Sequence, residues 1–271
     1  MSARENILAK LKKADALPME EPPVFDYYRE MGVSWANDVE RLKHWAAAMR
    51  AVKTEIYWVT KSNWPQVFRQ AAEGKGLKNI LLPLETEHGQ LARAALADTD
   101  IEPRGFERKI DDWKNEFFTD IEAGFSGSKC GIARTGTIML ESSPVEPRSL
   151  SLVPPVHFCL FDTSKMYNEF HNAVEGEKLV EKGMPTNVIL ISGPSKTADI
   201  QLTLAYGAHG PRDLVVLAVL PDHISPADLE EKALVPKPLN SICSRKRSSK
   251  TPQFLCKTNP CVKACAQRWI C

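Results

Sequence analysis

The run IYWVTKSNWPQVFRQAAEGKGLKNILLPLETEHGQLARAALA, residues 56–97, alternates between two hydrophobic periods. IYWVT (56–60) and NILLPL (79–84) are short, continuous and apolar. NWPQVFRQAAE (63–73) and HGQLARAALA (88–97) instead repeat their apolar residues every three or four positions. Strand, helix, strand, helix in that order predicts βαβ units, and hence a parallel sheet with right-handed crossovers and helices on both faces. The fold expected is α/β, a Rossmann-like, mostly parallel sheet.

The same alternation extends outward in both directions. Upstream, Asp38 precedes a helical stripe of Val39, Leu42, Trp45, Ala46 and Met49. Downstream, strands are expected at 132–140, 155–162, 187–192 and 213–219, with helices at 164–174 and 197–206. One sheet of about six or seven strands results. Three segments follow: an N-terminal helix and extended, Pro- and aromatic-rich arm over 1–37, the α/β domain over 38–220, and a C-terminal extension over 221–271 that lacks hydrophobic periodicity. There is no internal repeat.

The 271 residues are 43% hydrophobic and 25% charged, enough for a sizeable core and unlike a disordered or fibrous chain. No apolar run approaches the roughly 20 residues that cross a bilayer, and the N-terminus lacks a signal-peptide pattern, so a cytoplasmic protein without a membrane span is expected. Ile7, Leu8 and Leu11 share one helical face among basic residues, a stripe that suits docking to a partner subunit better than anchoring to a membrane, and a homo-oligomer is a separate possibility.

The net charge of +1 conceals an asymmetry: residues 221–271 hold nine Lys/Arg against four Asp/Glu, and residues 1–220 hold 26 against 30. The body is mildly acidic and shows no basic face interleaved with aromatics, which argues against nucleic-acid binding. Five of seven cysteines crowd the end, and Cys256 to Cys271 follow the spacing C-x4-C-x3-C-x5-C. That matches neither zinc nor iron–sulfur spacing, so no metal site is expected in this chain.

Four turns carry residues suited to chemistry. In ISGPSKTADI (191–200) an apolar strand ends in a Gly-Pro turn, and Ser195, Thr197 and Asp199 open a helix whose N–H groups would favour an anion. Plain helix capping by Ser195 or Thr197 is the structural alternative. In GAHGPR (207–212), His209 beside Gly210 can transfer a proton, and Arg212 can grip a carboxylate or phosphate; a local turn with a solvated Arg is the alternative. Thr135-Gly136-Thr137 interrupts a strand pattern, as a bulge or close approach to a ligand does, although Thr is common in strands. PRSLSLVPPVH (147–157) adds Arg148 and His157, the latter alternating with apolar neighbours as a core histidine would.

Together ARTGT (133–137), PRSLSLVPPVH, GPSKTADI (193–200) and GAHGPRDL (207–214) resemble the lactate utilization protein C family over about residues 125–220. The resemblance implies a fold similar to the NagB/RpiA/CoA-transferase-like superfamily of sugar-phosphate isomerases and acyl transferases. It also implies a part in oxidising L-lactate to pyruvate beside iron–sulfur partner proteins, and points to Thr135, Gly136, Thr137, His157, Gly193, Pro194, Ser195, Thr197, Asp199, His209, Gly210 and Pro211. Family members often carry an acidic residue before TGT, where this chain has Arg134.

The expectation is a component of an L-lactate-oxidising system that binds a small carboxylate or phosphate at the carboxyl ends of the strands. His209 would be catalytic. Thr135, Gly136, Thr137, Arg148, His157, Gly193, Ser195, Thr197, Asp199, Gly210 and Arg212 would bind the ligand. With no dinucleotide fingerprint and no cysteine cluster in the body, no cofactor is expected in this chain, and iron–sulfur clusters would sit on partners. A non-catalytic scaffold is the alternative. An isomerase- or transferase-like enzyme, with Glu141 as its carboxylate, rests on fold analogy.

Overall fold

The computed structural model describes residues 2–14, 22–106, 108, 110–197 and 205–229. Asp199, residues 15–21 of the arm and the cysteine-rich end lie outside the described residues. The helices are α1 (Ala3–Lys13), α2 (Val24–Met31), α3 (Asp38–Ala51), α4 (Trp64–Gly74), α5 (Glu87–Ala95), α6 (Ile110–Thr119), α7 (Ser149–Leu152), α8 (Phe170–Gly176) and α9 (Pro226–Leu229). The strands are β1 (Glu55–Val59), β2 (Asn79–Leu82), β3 (Glu102–Gly105), β4 (Ala123–Gly127), β5 (Cys130–Ile132), β6 (Thr137–Glu141), β7 (Val156–Asp162), β8 (Met166–Tyr167), β9 (Val188–Ile191), β10 (Lys196–Thr197), β11 (Ala205–Tyr206) and β12 (Asp213–Val219).

Six strands form an all-parallel sheet in the order β1-β12-β7-β4-β2-β3. On one face α4 and α5 bury Trp64, Phe68 and Ala92 against Phe125, Phe158 and Leu217. On the other, Leu42, Trp45 and Met49 of α3 pack with Ile138, Cys159, Phe161 and Val216. Both faces are covered, as a parallel sheet requires. From β2 the chain crosses to the β3 edge, whereas from β4 it crosses to β7 and then β12. The neighbours β2 and β4 therefore mark the topological switch point.

Several expectations need correction. The apolar runs 132–140 and 187–192 do not join the main sheet; they form a second, four-stranded sheet in the order β8-β5-β6-β9. The run at 132–140 is the end of β5, a turn and β6: Gly136 donates to Ala133 O at 3.2 Å and adopts φ +58°. A Cβ there would stand 2.5 Å from Ala48 Cβ on α3, so the glycine serves turn and packing at once. The helix expected at 164–174 is a 3-10 turn over Thr163–Lys165, then β8, with α8 starting only at Phe170. The described ends of the helix expected at 197–206 pair as antiparallel strands, Lys196 with Tyr206 and Thr197 with Ala205.

The arm over 15–37 also contains α2, and Tyr28 stacks on His171 at 4.9 Å, so this part folds onto the chain's own body. The core runs past residue 220, with Ile224 and Leu229 buried in the α3 cluster. Periodicity gave no signal for β3, β4 or α6; β4 reads AGFSG, two glycines and a serine around one aromatic.

Candidate functional site

Three of the four motif segments meet at the amino ends of β7 and β12. A cavity of about 210 Å³ opens there, lined by His157, Ser192, Gly193, Pro194, Ser195, His209, Gly210 and Pro211 among others. Main-chain bonds clamp the loops together. Ser195 donates to Pro211 O at 2.8 Å, Gly207 to Ser195 O at 2.9 Å, and Arg212 to Pro155 O at 2.8 Å. Gly124, which pairs with His157, has no side chain to obstruct α7: a Cβ there would lie 2.1 Å from Leu150 O. The segment carrying Ser151 thus closes over the amino end of the sheet.

This geometry corrects two expectations. The motifs gather at the amino ends of the strands, not the carboxyl ends. Ser195 also opens no helix, because its N–H is spent on Pro211 within a loop-and-hairpin arrangement. A helix-terminus anion site is therefore not what GPSKT builds; its serine hydroxyl and backbone wall a cavity instead.

His157 forms the floor. It is fully buried, and burial alone pushes its imidazole down to about 3, so the ring is neutral at ordinary pH. Its Nε2 lies 2.9 Å from Ser126 Oγ on β4, while Nδ1 has no hydrogen-bond partner among the described residues. It is therefore a core histidine left half satisfied at a cavity. His209 is exposed at the mouth.

Thr135 and Thr137 reach the cavity at second hand. Their Oγ1 atoms are 2.7 Å apart, and Thr137 Oγ1 is 2.6 Å from the hydroxyl of Ser192, which lines it. Gly193, at φ +137°, lies where a Cβ would strike Val52 at 2.5 Å. Thr197 pairs in β10 beyond the lining. Arg148 is exposed beside a narrow gap shared with Ser126, Glu146 and Ser151, and the Arg212 guanidinium is 64% exposed, 3.6 Å from Asp213. Neither arginine lines the cavity. Arg134 turns away from it to bond Glu169 at 2.8 Å.

A second concavity, of about 680 Å³, sits at the carboxyl ends, over the switch point between β2 and β4. Its polar centre is His88, whose Nε2 lies 2.7 Å from Glu146 Oε1; the same oxygen accepts the Gly127 N–H at 2.9 Å. Thr86 positions His88 by capping α5, accepting from Gly89 N at 3.0 Å. Lys129 bridges to Glu141 at 2.7 Å, which raises its pKa. A bond from Nε2–H to Glu146 would leave Nδ1 of His88 as an acceptor. The sequence reading missed His88 and Glu146, which are separated by 58 positions. The one available signal was a histidine in the first turn of a helix following a parallel strand.

Among the described residues no group of three or more His, Cys, Asp or Glu is arranged to hold a metal, and no helix is long and apolar enough to cross a membrane.

A doubly wound α/β domain, with a second sheet on one face and a concavity at each end of the strands, is the class defined by fold and site. The LUD domain family matches residues 42–219, and the chain belongs to it. An uncharacterized protein of Neisseria meningitidis serogroup B is 88% identical over 233 residues, which cover 86% of this chain and all of that protein. A lactate utilization protein C of Geobacillus sp. strain WCH70 is 23% identical over 198 residues, covering 65% of this chain and 82% of that one. The crystal structure of a DUF162 family protein from Deinococcus radiodurans matches with a TM-score of 0.51 at 19% identity, covering 69% of this chain and all of that one. That likeness bears on the fold.

Proposed function

We propose that this chain is a component of an L-lactate utilization system and binds a small carboxylate in the amino-end cavity. The observation that carries the reading is the convergence of Ser195, His209 and His157, from three separate segments, on one small space whose other walls are largely apolar. The name of the Geobacillus relative supports the system. In this reading Ser192 and Ser195 hydroxyls hold the guest, and His209 at the mouth handles a proton. Electron transfer falls to iron–sulfur clusters on partner proteins, with no cofactor resident in this chain.

Replacing His209 with Gln is expected to stop growth on L-lactate in a host that depends on this chain, with the circular dichroism spectrum unchanged. Undiminished growth removes His209 from the chemistry.

One observation favours a scaffolding role instead: Ile7, Leu8 and Leu11 of α1 are 58%, 40% and 64% exposed, an apolar stripe open to a partner. Capture of iron–sulfur partners that is lost on truncating α1, together with growth unaffected by His209→Gln, would establish that role over the catalytic one.

A further inference from the structure

We propose that this chain forms a two-fold dimer in which α1 of each copy lies antiparallel along α2 of the other. Each of these helices carries one apolar stripe left uncovered among the described residues. On α1 the stripe is Ile7, Leu8 and Leu11, 58%, 40% and 64% exposed, and none of the helix's residues is buried. On α2 it is Val24, Tyr27 and Met31, 39%, 59% and 66% exposed, spaced i, i+3, i+7 and hence on one face. The second helix is held in place: Tyr28 stacks on the His171 ring at 4.9 Å, and just past the helix the Val33 N–H donates to Glu169 Oε1 at 3.0 Å. It is a seated platform with an open apolar stripe.

Charge names the occupant. Residues 3–13 hold four Lys/Arg against one Asp/Glu, and residues 20–31 hold four Asp/Glu against one Lys/Arg. Two α1 helices, or two α2 helices, would meet with like charge, whereas α1 against α2 pairs opposite signs. The distribution along each segment sets the direction: Lys10, Lys12 and Lys13 close α1, while Glu20, Glu21 and Asp26 precede or open α2. Antiparallel packing brings those ends together and sets the two helix dipoles against each other favourably.

The pairing belongs between copies. Within one chain α1 buries nothing, and α2 begins straight after Pro22 and Pro23, whose fixed φ stiffens the junction. Two-fold symmetry makes the contact twice. The four stripes then offer on the order of 1,200 Å² of exposed surface for burial, the lower end of what a specific interface buries, and a single contact within one chain would offer half of it. This assembly is independent of what the amino-end cavity binds, and it takes up the stripe that a scaffold would present to another protein.

Light scattering after size exclusion of the full-length protein should give twice the 30.3 kDa of the chain. A monomer at every concentration overturns the proposal. Leu11→Glu and Tyr27→Glu, both at exposed positions where the circular dichroism spectrum should not change, are each expected to raise the dimer dissociation constant about tenfold or more. A dimer indifferent to both overturns the interface. Lys10→Glu, Lys12→Glu and Lys13→Glu together should weaken the dimer, and adding Glu20→Lys, Glu21→Lys and Glu30→Lys to the same chain should restore it; a dimer that stays weak overturns the pairing of α1 with α2. Cross-linking separates exchange between copies from pairing within one. With the five tail cysteines changed to serine and Cys130 and Cys159 buried, a Leu8→Cys chain mixed with a Tyr27→Cys chain should give a disulfide-linked heterodimer under oxidation. A disulfide that forms only inside a chain carrying both substitutions, leaving it at monomer mass, overturns the proposal. Full-length protein that stays monomeric and sediments with phosphatidylglycerol vesicles, unless Leu11 is changed to Glu, overturns it in favour of a membrane surface.

Discussion

Arg134 Nη1 donates to Glu169 Oε1 at 2.8 Å, and the same oxygen accepts the Val33 N–H at 3.0 Å. One carboxylate thus joins the turn before β6, the start of α8 and the chain entering α3. Glu169 is 5% exposed and Arg134 54% exposed in their side chains, so the guanidinium closes over a carboxylate already removed from water.

Arg134→Ala leaves that buried carboxylate with one fewer partner. Because the arginine is half in solvent, the cost is expected to be about 1 kcal/mol, read from the urea midpoint. Pairing it with Glu169→Gln should recover part of the loss; two strictly additive substitutions would refute the coupling.

His157 makes the protein acid-sensitive. Its folded-state value of about 3 lies below the ordinary 6.5, so between those limits the unfolded chain binds a proton that the folded chain refuses. The stability contribution of this residue therefore falls as pH drops through that window, by up to about 1.4 kcal/mol per pH unit. His157→Leu should flatten that part of the stability profile between pH 6 and pH 4. An unchanged slope refutes it.

Cys130 and Cys159 are buried, and desolvation pushes the Cys130 thiol up to about 12 and that of Cys159 higher still. Since the thiolate is the reactive form, neither should react with a disulfide reagent in the native state. A variant with the five other cysteines changed to serine should release two thiols only on unfolding; rapid native labelling would contradict this.

Gly136→Ala is expected to destabilise by about 1–3 kcal/mol, since the new methyl meets Ala48 on α3 and the left-handed backbone is strained for alanine. Differential scanning calorimetry measures it. A melting temperature within one degree of wild type would show that the turn relaxes.

Glu146→Ala removes the acceptor shared by Gly127 N–H and His88. Amide exchange at Gly127 should accelerate about tenfold or more while exchange within β7 stays slow; equal protection in both proteins counts against the bond.

What the sequence revealed, and what it hid, follows from the physics of each element. β1, α4, β2, α5, β7 and β12 were legible because each buries a face or a whole strand, which imposes a period. β4 was not, since Gly124 and Gly127 are small to admit α7 and His88, and its one aromatic gives no pattern. With β4 went Ser126, the partner of His157. The company of Ser195, His209 and His157 was visible as motifs, yet their end of the sheet was not. A loop can be read as polar and glycine-rich without revealing which end of a strand it serves. His88 and Glu146 become neighbours only through the parallel order of β2 and β4, which no local pattern encodes.

The two concavities are tethered to opposite tips of the same seven-residue strand, His157 near its start and Asp162 at its finish, about 17 Å of extended chain. A reporter dye placed at either tip is remote from the other, so occupancy of the two rims can be followed in one sample with two colours, and any cross-talk between them read as a shift of one signal when only the opposite rim is filled.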